Sequence, residues 1–414
     1  MQRNNIKYAA LWCCLVFYMF NVKYKYLPPS QYIAAGIFCV LFTLNSLKHI
    51  RLSADQIYLV LACWAFIFAS LLSLIFAPNP ELTFTVGLLL AIFFSVSVVP
   101  LAITGTARGE VQIFKFFGLV GLLNAVFILL MIVSSSFYSF YHSLLADFPL
   151  KGRVGEASQY LGLYRLRMVG LSGSATYGVA VTQIALAFCY VTYLAKCEGS
   201  GRKLLHVIGA CVVAVSALFA GRTALVGYIF LFIYCWYIFG WKTVFFATFL
   251  TLISFLCVVF VVSLFLPQEV YDFFYNWLIE PFTQGIETSS LQTNIDMYEY
   301  SLAHFESFGQ FRFRNESGGY LGGSDVGFYR ILFAFGYFGL SFFLLLLLLF
   351  VVKFTLALKN KKCVFSCGGL LLTIFIVVVH FKGNILFDVF SLFTVLVVYF
   401  VSSEKSKRQC NVKL

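Results

Sequence analysis

Charge is scarce in this chain: Asp, Glu, Lys and Arg make up only 11% of its 414 residues, against 61% hydrophobic. Soluble domains carry roughly 25% charged residues, so a water-soluble enzyme or nucleic-acid-binding module is excluded and the chain must act in or beside a bilayer. Also missing are a GxxxxGK[ST] loop, a dinucleotide fingerprint, an HExxH pair and any Asp-x-Asp that would hold a divalent ion with a nucleotide sugar. A transferase built this way draws its donor from outside the cytosol and without a bound metal, and no cofactor is expected. No repeat of 20 to 50 residues and no pair of similar halves is visible, which weakens a two-fold transporter plan.

What fills the chain is apolar sequence. Twelve stretches bounded by charge or proline read as spans, at roughly 8–22, 31–47, 57–77, 82–103, 113–136, 177–195, 204–220, 223–239, 243–266, 328–352, 363–381 and 385–401. The run from Leu204 to Phe239 is twice a spanning length and reads as two helices meeting at Arg222. The first span follows a basic segment, but no small-residue cleavage pattern comes after it, so it is expected to stay as a helix. The expected fold is a single all-α, polytopic membrane domain over 1–414, with large external loops at about 137–176 and 267–327.

The net charge of +12 is topological. An even number of spans puts both termini on one side, and the loops on that side hold 18 basic residues against four acidic ones, Asp55, Glu110, Glu198 and Glu404. Lys-rich short loops face the cytoplasm, so both ends are expected there and no nucleic-acid partner is implied. All twelve cysteines fall in spans or on the cytoplasmic side, which argues against disulfides; Cys363 and Cys367, one turn apart, read as apolar packing.

The long external loops are where function is expected. Tyr271, Phe273, Phe274, Tyr275, Trp277 and Leu278 surround Asp272 and Glu280, a composition suited to a helix in the outer interface or to a lid on the bundle. Residues 294–308 read as a second amphipathic helix with Asp296, Tyr300 and His304 on one face. That face also fits plain solvation, but His304 is the side chain best suited to take a proton near neutral pH.

Seven of the twelve arginines lie on the external side: Arg153, Arg165, Arg167, Arg222, Arg312, Arg314 and Arg330. Arg165-Leu-Arg167 and Arg312-Phe-Arg314 would point both guanidiniums to one side of an extended strand, a grip for a phosphate or diphosphate; lipid headgroups are the competing partner. Arg222, in a short turn between apolar runs, and Arg330, in the first turn of the tenth span, need partners because charge near hydrocarbon is costly. Asp325 is the candidate for Arg330 and an anionic substrate the candidate for Arg222. Ser324 or Asp325 also suits a helix cap.

Arg167-Met-Val-Gly170 leading through Gly173 and Tyr177, Ala220-Gly-Arg222-Thr223 between two helices, and Ser324-Asp325-Val-Gly327-Phe-Tyr-Arg330 followed by Phe335-Gly336-Tyr-Phe-Gly339 resemble the Wzy-type O-antigen polymerases, relatives of the O-antigen ligases. The resemblance covers about 167–340, and Asp325 stands where the ligases carry His. It implies a type C glycosyltransferase architecture working at the periplasmic face of a bacterial inner membrane. Undecaprenyl-diphosphate-linked oligosaccharide is then both donor and acceptor, and a polysaccharide co-polymerase is a possible chain-length partner. The implied roles give Arg222 and Arg330 the diphosphate, with Arg165, Arg167, Arg312, Arg314 and Tyr300 binding substrate. Asp325, Glu299 or His304 receives the proton. Alternatives are the ligase, which passes glycan to lipid A core, and a lipid-linked oligosaccharide flippase, which should carry charge inside its spans and modest loops.

Overall fold

The computed structural model describes residues 2–46, 53–107, 109–145, 170–172, 176–197, 203–265, 268–283, 298, 305–315, 319, 321–360 and 363–411. Its helices are α1 (Gln2–Phe20), α2 (Ser30–Ser46), α3 (Ala54–Phe76), α4 (Leu82–Val96), α5 (Val98–Thr106), α6 (Glu110–Val133), α7 (Ser135–Leu144), α8 (Thr176–Lys196) and α9 (Lys203–Ala220). They continue with α10 (Thr223–Phe239), α11 (Trp241–Phe265), α12 (Gln268–Thr283), α13 (Gly327–Asn360), α14 (Val364–His380), α15 (Ile385–Asp388) and α16 (Ser391–Asn411). Among the described residues no strand forms, only an isolated bridge between Tyr24 and Leu145. Each of the twelve apolar stretches contains a helix, and six helices are long and apolar enough to cross a membrane. The chain has the all-α make-up of a membrane protein.

Contacts gather the chain into two compact units, one of Met1–Phe38 with Thr106–Thr283, the other of Cys39–Gly105 with Gln284–Leu414. In the first unit α8 is the central post: every side chain from Gly178 to Tyr193 is buried, with α6, α9 and α10 packed around it. A helix apolar on all sides has no solvent face to spare, and α8 takes the interior position that this dictates. The few polar groups it buries are paired. Gln183 donates to the Gly121 carbonyl at 3.0 Å and to Ser216 at 2.7 Å, and Thr192 shares a hydrogen bond with the Tyr234 hydroxyl. The apolar run 204–239 is divided at Gly221-Arg222 into α9 and α10, as its length requires.

Two amphipathic helices of this unit come from the two long connections of the chain. Ser134 caps α7, accepting from the Phe137 amide at 3.1 Å. The Tyr141 hydroxyl of α7 donates to the Leu171 carbonyl, while Asn124 of α6 accepts from the Leu171 amide at 2.7 Å, so the turn Gly170–Ser172 is stapled into the bundle. The aromatic segment around Tyr271 is helical as α12.

In the second unit α3 and α13 run antiparallel. Asp55, near the start of α3, pairs with Lys353 late in α13, whereas Ser73, near the end of α3, donates to the Phe335 carbonyl early in α13 at 3.1 Å. Ser53 and Gln56 close a capping box on α3, and the Ser53 hydroxyl also meets Glu404. Asp55, Lys353 and Glu404 are thus drawn to one end of the unit. At the other end Phe66, Phe313, Phe335, Phe343 and Phe387 form an aromatic core with ring centroids 5.5–6.2 Å apart.

Two expectations are corrected here. The helix expected through Gly336 is interrupted there, and the amphipathic helix expected over 294–308 does not include 305–308, which are non-helical. Both differences have one cause, described next. Of the rest of 294–308, only Tyr298 lies within the described residues.

Candidate functional site

The second unit carries a break in α13. Gly336 has φ 65° and ψ −170°, a conformation reserved for residues without a Cβ, and the helix ladder stops across it. The carbonyls of Phe333 and Ala334, which a regular helix would give to residues 337 and 338, accept instead from the amides of Gln310 and Phe311, both at 2.8 Å. The amides of Tyr337 and Phe338 turn outward to the carbonyls of Glu306 and Ser307, at 3.2 and 3.1 Å. The end of the large loop is therefore sewn into the helix, and these four backbone groups opened by the break all have new partners. A Cβ on Gly309 would lie 2.4 Å from the Ala334 carbonyl carbon, so the two chains touch backbone to backbone. Non-helical backbone within an apolar bundle is tolerated only when satisfied in this way, and broken helices of this kind are common at substrate sites in membrane proteins.

The same loop continues through a turn at Phe311, whose φ is 49°, with Phe311 and Phe313 buried, Arg312 half-buried and Arg314 exposed, so the extended backbone expected for Arg-x-Arg is interrupted here. Both guanidiniums are occupied. Arg312 Nε donates to the Arg314 carbonyl at 2.8 Å, and Arg314 lies 4.5 Å from the centre of the Phe84 ring. Glu81 fastens this segment by accepting from the Phe313 amide, while its own amide and the Thr85 hydroxyl donate to the Phe311 carbonyl.

Six residues ahead of the break is Arg330, only 5% exposed. Its guanidinium pairs with Asp388 at 3.5 Å and stands 5.8 Å over Phe313. Asp388 closes α15, a single turn entered through Phe381–Asn384 from the end of α14. In that entry His380 and Asn384 are fully buried, and neither the imidazole nitrogens nor the side-chain amide atoms of Asn384 make a hydrogen bond. His380 packs edge-on to Phe328 with centroids 4.7 Å apart and lies within electrostatic range of Arg330. Gly327 begins α13 against this turn: a Cβ there would sit 2.6 Å from the carbonyl oxygens of His380 and Gly383. The exposed Tyr298 reaches the same place, its hydroxyl donating to the Phe381 carbonyl.

In the first unit Arg222, at 12% exposure, pairs with Glu280 of α12 at 2.5 Å. Its guanidinium, expected to await an anionic substrate, already holds a carboxylate from the large loop.

Of the residues singled out from sequence, Arg222, Arg330, Arg312, Arg314 and Asp325 are described; Arg165, Arg167, Glu299, Tyr300 and His304 lie outside the described residues. Asp325 is half-buried. Ser324, fully buried, accepts from the Val326 amide at 3.2 Å, a local turn just ahead of α13. Sequence reasoning missed Asp388, His380 and Asn384. The signal was present, since His380, Asn384 and Asp388 recur every four residues between two apolar runs, but a gap between spans reads as a plain turn. It also missed Glu280 as the partner of Arg222. Comparison with known proteins finds no family model that matches the chain and no characterised protein that matches it in sequence.

Proposed function

We propose that this protein is a membrane-embedded glycosyltransferase of the polymerase type, twelve-spanning and of type C architecture, in a bacterial inner membrane with both termini cytoplasmic. It joins undecaprenyl-diphosphate-linked oligosaccharide repeat units at the periplasmic face, without a metal or cofactor. The observation that carries this reading is Arg330: a guanidinium held 5% exposed beside a broken helix, with a carboxylate at 3.5 Å to orient it. In the reaction a sugar hydroxyl attacks the anomeric carbon and the bond to the lipid diphosphate breaks, the electron pair leaving on a phosphate oxygen. Fixed positive charge where that negative charge develops is the main requirement, and an arginine in a water-poor setting supplies it with forked hydrogen bonds. The loose geometry of the Arg330–Asp388 pair suits exchange of the carboxylate for a phosphate.

The test is incubation of the purified protein with synthetic lipid-diphosphate repeat units, scored for oligomers. Wild type should extend them, Arg330→Ala should not, and Arg330→Lys should lose at least tenfold because a point charge cannot reproduce the fork. Wild-type protein that binds these lipids and yields no oligomers refutes the polymerase reading. In cells, polymerase loss leaves single repeat units on the lipid core, whereas loss of a ligase or flippase leaves none.

A further inference from the structure

We propose that the polar face of α12 is a sugar-stacking strip, on which Tyr271 and Tyr275 hold the pyranose rings of a glycan chain; the source of that glycan rests on the polymerase reading above. The helix spacing places Gln268, Tyr271, Asp272 and Tyr275 at i, i+3, i+4 and i+7, on one face. The apolar positions 270, 273, 274 and 277 fall on the opposite face, which is the one suited to meet lipid or bundle. Asp272 is exposed and accepts from Gln268 Nε2 at 2.9 Å, so the face that carries the tyrosines also carries a charge. A carboxylate turned toward hydrocarbon is costly, which assigns this face to water. Two tyrosines are then presented where no membrane anchor needs them. Tyr275 is 48% exposed, and its ring lies at 23° to that of Tyr271 with centroids 6.3 Å apart. Among the described residues neither hydroxyl has a hydrogen-bond partner. No segment has to move to open the strip, and the Arg222–Glu280 pair at 2.5 Å anchors the helix near its far end.

The chemistry of the strip selects the ligand. A pyranose has a face of C–H bonds and a rim of hydroxyls. Its slightly positive C–H face settles on the negative face of an aromatic ring, and two rings of similar tilt, one helical turn apart, suit successive sugars of a chain. The rim hydroxyls then meet the Asp272 carboxylate as acceptor, while the Gln268 amide and the two phenols both donate and accept. Charge excludes the competing occupant. From Gln268 to Thr283 the helix holds Glu269, Asp272 and Glu280 and no Lys, Arg or His, so phosphates and anionic lipid headgroups are repelled and uncharged sugars are not. Such a strip binds glycan away from the reacting bond and retains a growing chain between additions.

The experiment is 19F NMR of the full chain in nanodiscs of phosphatidylethanolamine and phosphatidylglycerol, with Tyr275 replaced by 3-fluorotyrosine. The probe is the free repeat-unit glycan released by mild acid from the host's lipid-linked precursor. A saturable shift is expected. Its affinity should fall about fivefold in Tyr271→Leu, which keeps an apolar helix former without a ring face, and stay within about threefold of wild type in Tyr271→Trp. In the oligomer assay Tyr271→Leu should shift products to shorter chains, and wild-type lengths there overturn the retaining role. No saturable shift, or equal affinity in Tyr271→Leu, overturns the strip itself. So does broadening of the fluorine signal by lipid carrying a nitroxide on its acyl chain, which would place this face in the bilayer. If glycan shifts the signal but wild type forms no oligomers, the polymerase reading fails and the strip stands; oligomers without a shift remove the strip and leave that reading.

Discussion

Replacing Gly336 with Ala should release the end of the large loop from α13. A Cβ at Gly336 would lie 2.4 Å from the Ser307 carbonyl oxygen and 2.7 Å from the Gly309 amide nitrogen, both backbone atoms with no rotamer to escape into. The backbone conformation itself costs Ala about 1–3 kcal/mol. The variant relieves both by closing α13 into a regular helix, which restores the bonds from residues 337 and 338 to the carbonyls of 333 and 334. The loss then falls on the loop, whose four bonds to α13 are worth roughly 0.5–1.5 kcal/mol each, or about 2–6 kcal/mol together. At 1.4 kcal/mol per tenfold, even the lower figure reduces exchange protection of the Gln310 and Phe311 amides by about 30-fold.

Hydrogen exchange by mass spectrometry on detergent-purified protein measures this directly. Gly309→Ala should act on the same contact from the loop side, and because both changes open one junction, the double variant should cost about as much as the worse single one. Gly36, with nothing within 4 Å of its would-be Cβ, supplies a neutral control. Wild-type exchange at 310–311 in Gly336→Ala, or strictly additive effects, would refute the account of the break as a sewn junction.

The Arg222–Glu280 pair should behave as a latch on α12. Arg222→Ala leaves a half-buried carboxylate and should cost about 3 kcal/mol in unfolding and abolish long glycan chains while the protein still inserts; wild-type chain length removes Arg222 from the working machinery. Glu280→Gln keeps a hydrogen bond and should instead raise the protease sensitivity of α12 with smaller loss of stability, and equal sensitivity in both proteins argues against a latch. His142, on α7 with its ring tilted 42° against Tyr138 at 4.5 Å, is pushed below its ordinary pKa by burial. The folded form thus resists protonation more than the unfolded one, so α7 keeps its full stability above about pH 6.5 and loses it as pH falls below that value. After correction for the slower intrinsic exchange at low pH, protection at 135–144 should fall as pH drops from about 6.5 to about 5.5, and an unchanged pH dependence in His142→Gln would assign the effect to another group.

The helices were legible because hydrophobicity alone decides them: in a chain this apolar, every backbone group must bond within its own segment, and the twelve runs had no other way to be satisfied. The division at Arg222 was legible for the same reason, since no single helix of that length fits a bilayer. What could not be read was any place where backbone groups are satisfied by a distant segment. Nothing in Phe335-Gly336-Tyr337 distinguishes a glycine inside a helix from one that breaks it, because the deciding partners are Glu306 to Phe311 in another part of the chain. The charge pairs were legible only as a need. Arg330 called for a partner, and Asp388, 58 residues on, is brought to it by the return of α14. Glu280 reaches Arg222 over the same number of residues. An isolated charge beside an apolar run announces that a partner exists, by the cost of leaving it alone, but the partner's identity is set by packing. His380 and Asn384 are the strongest case: they read as the polar punctuation of a turn, and their full burial without hydrogen bonds is set by how that turn packs.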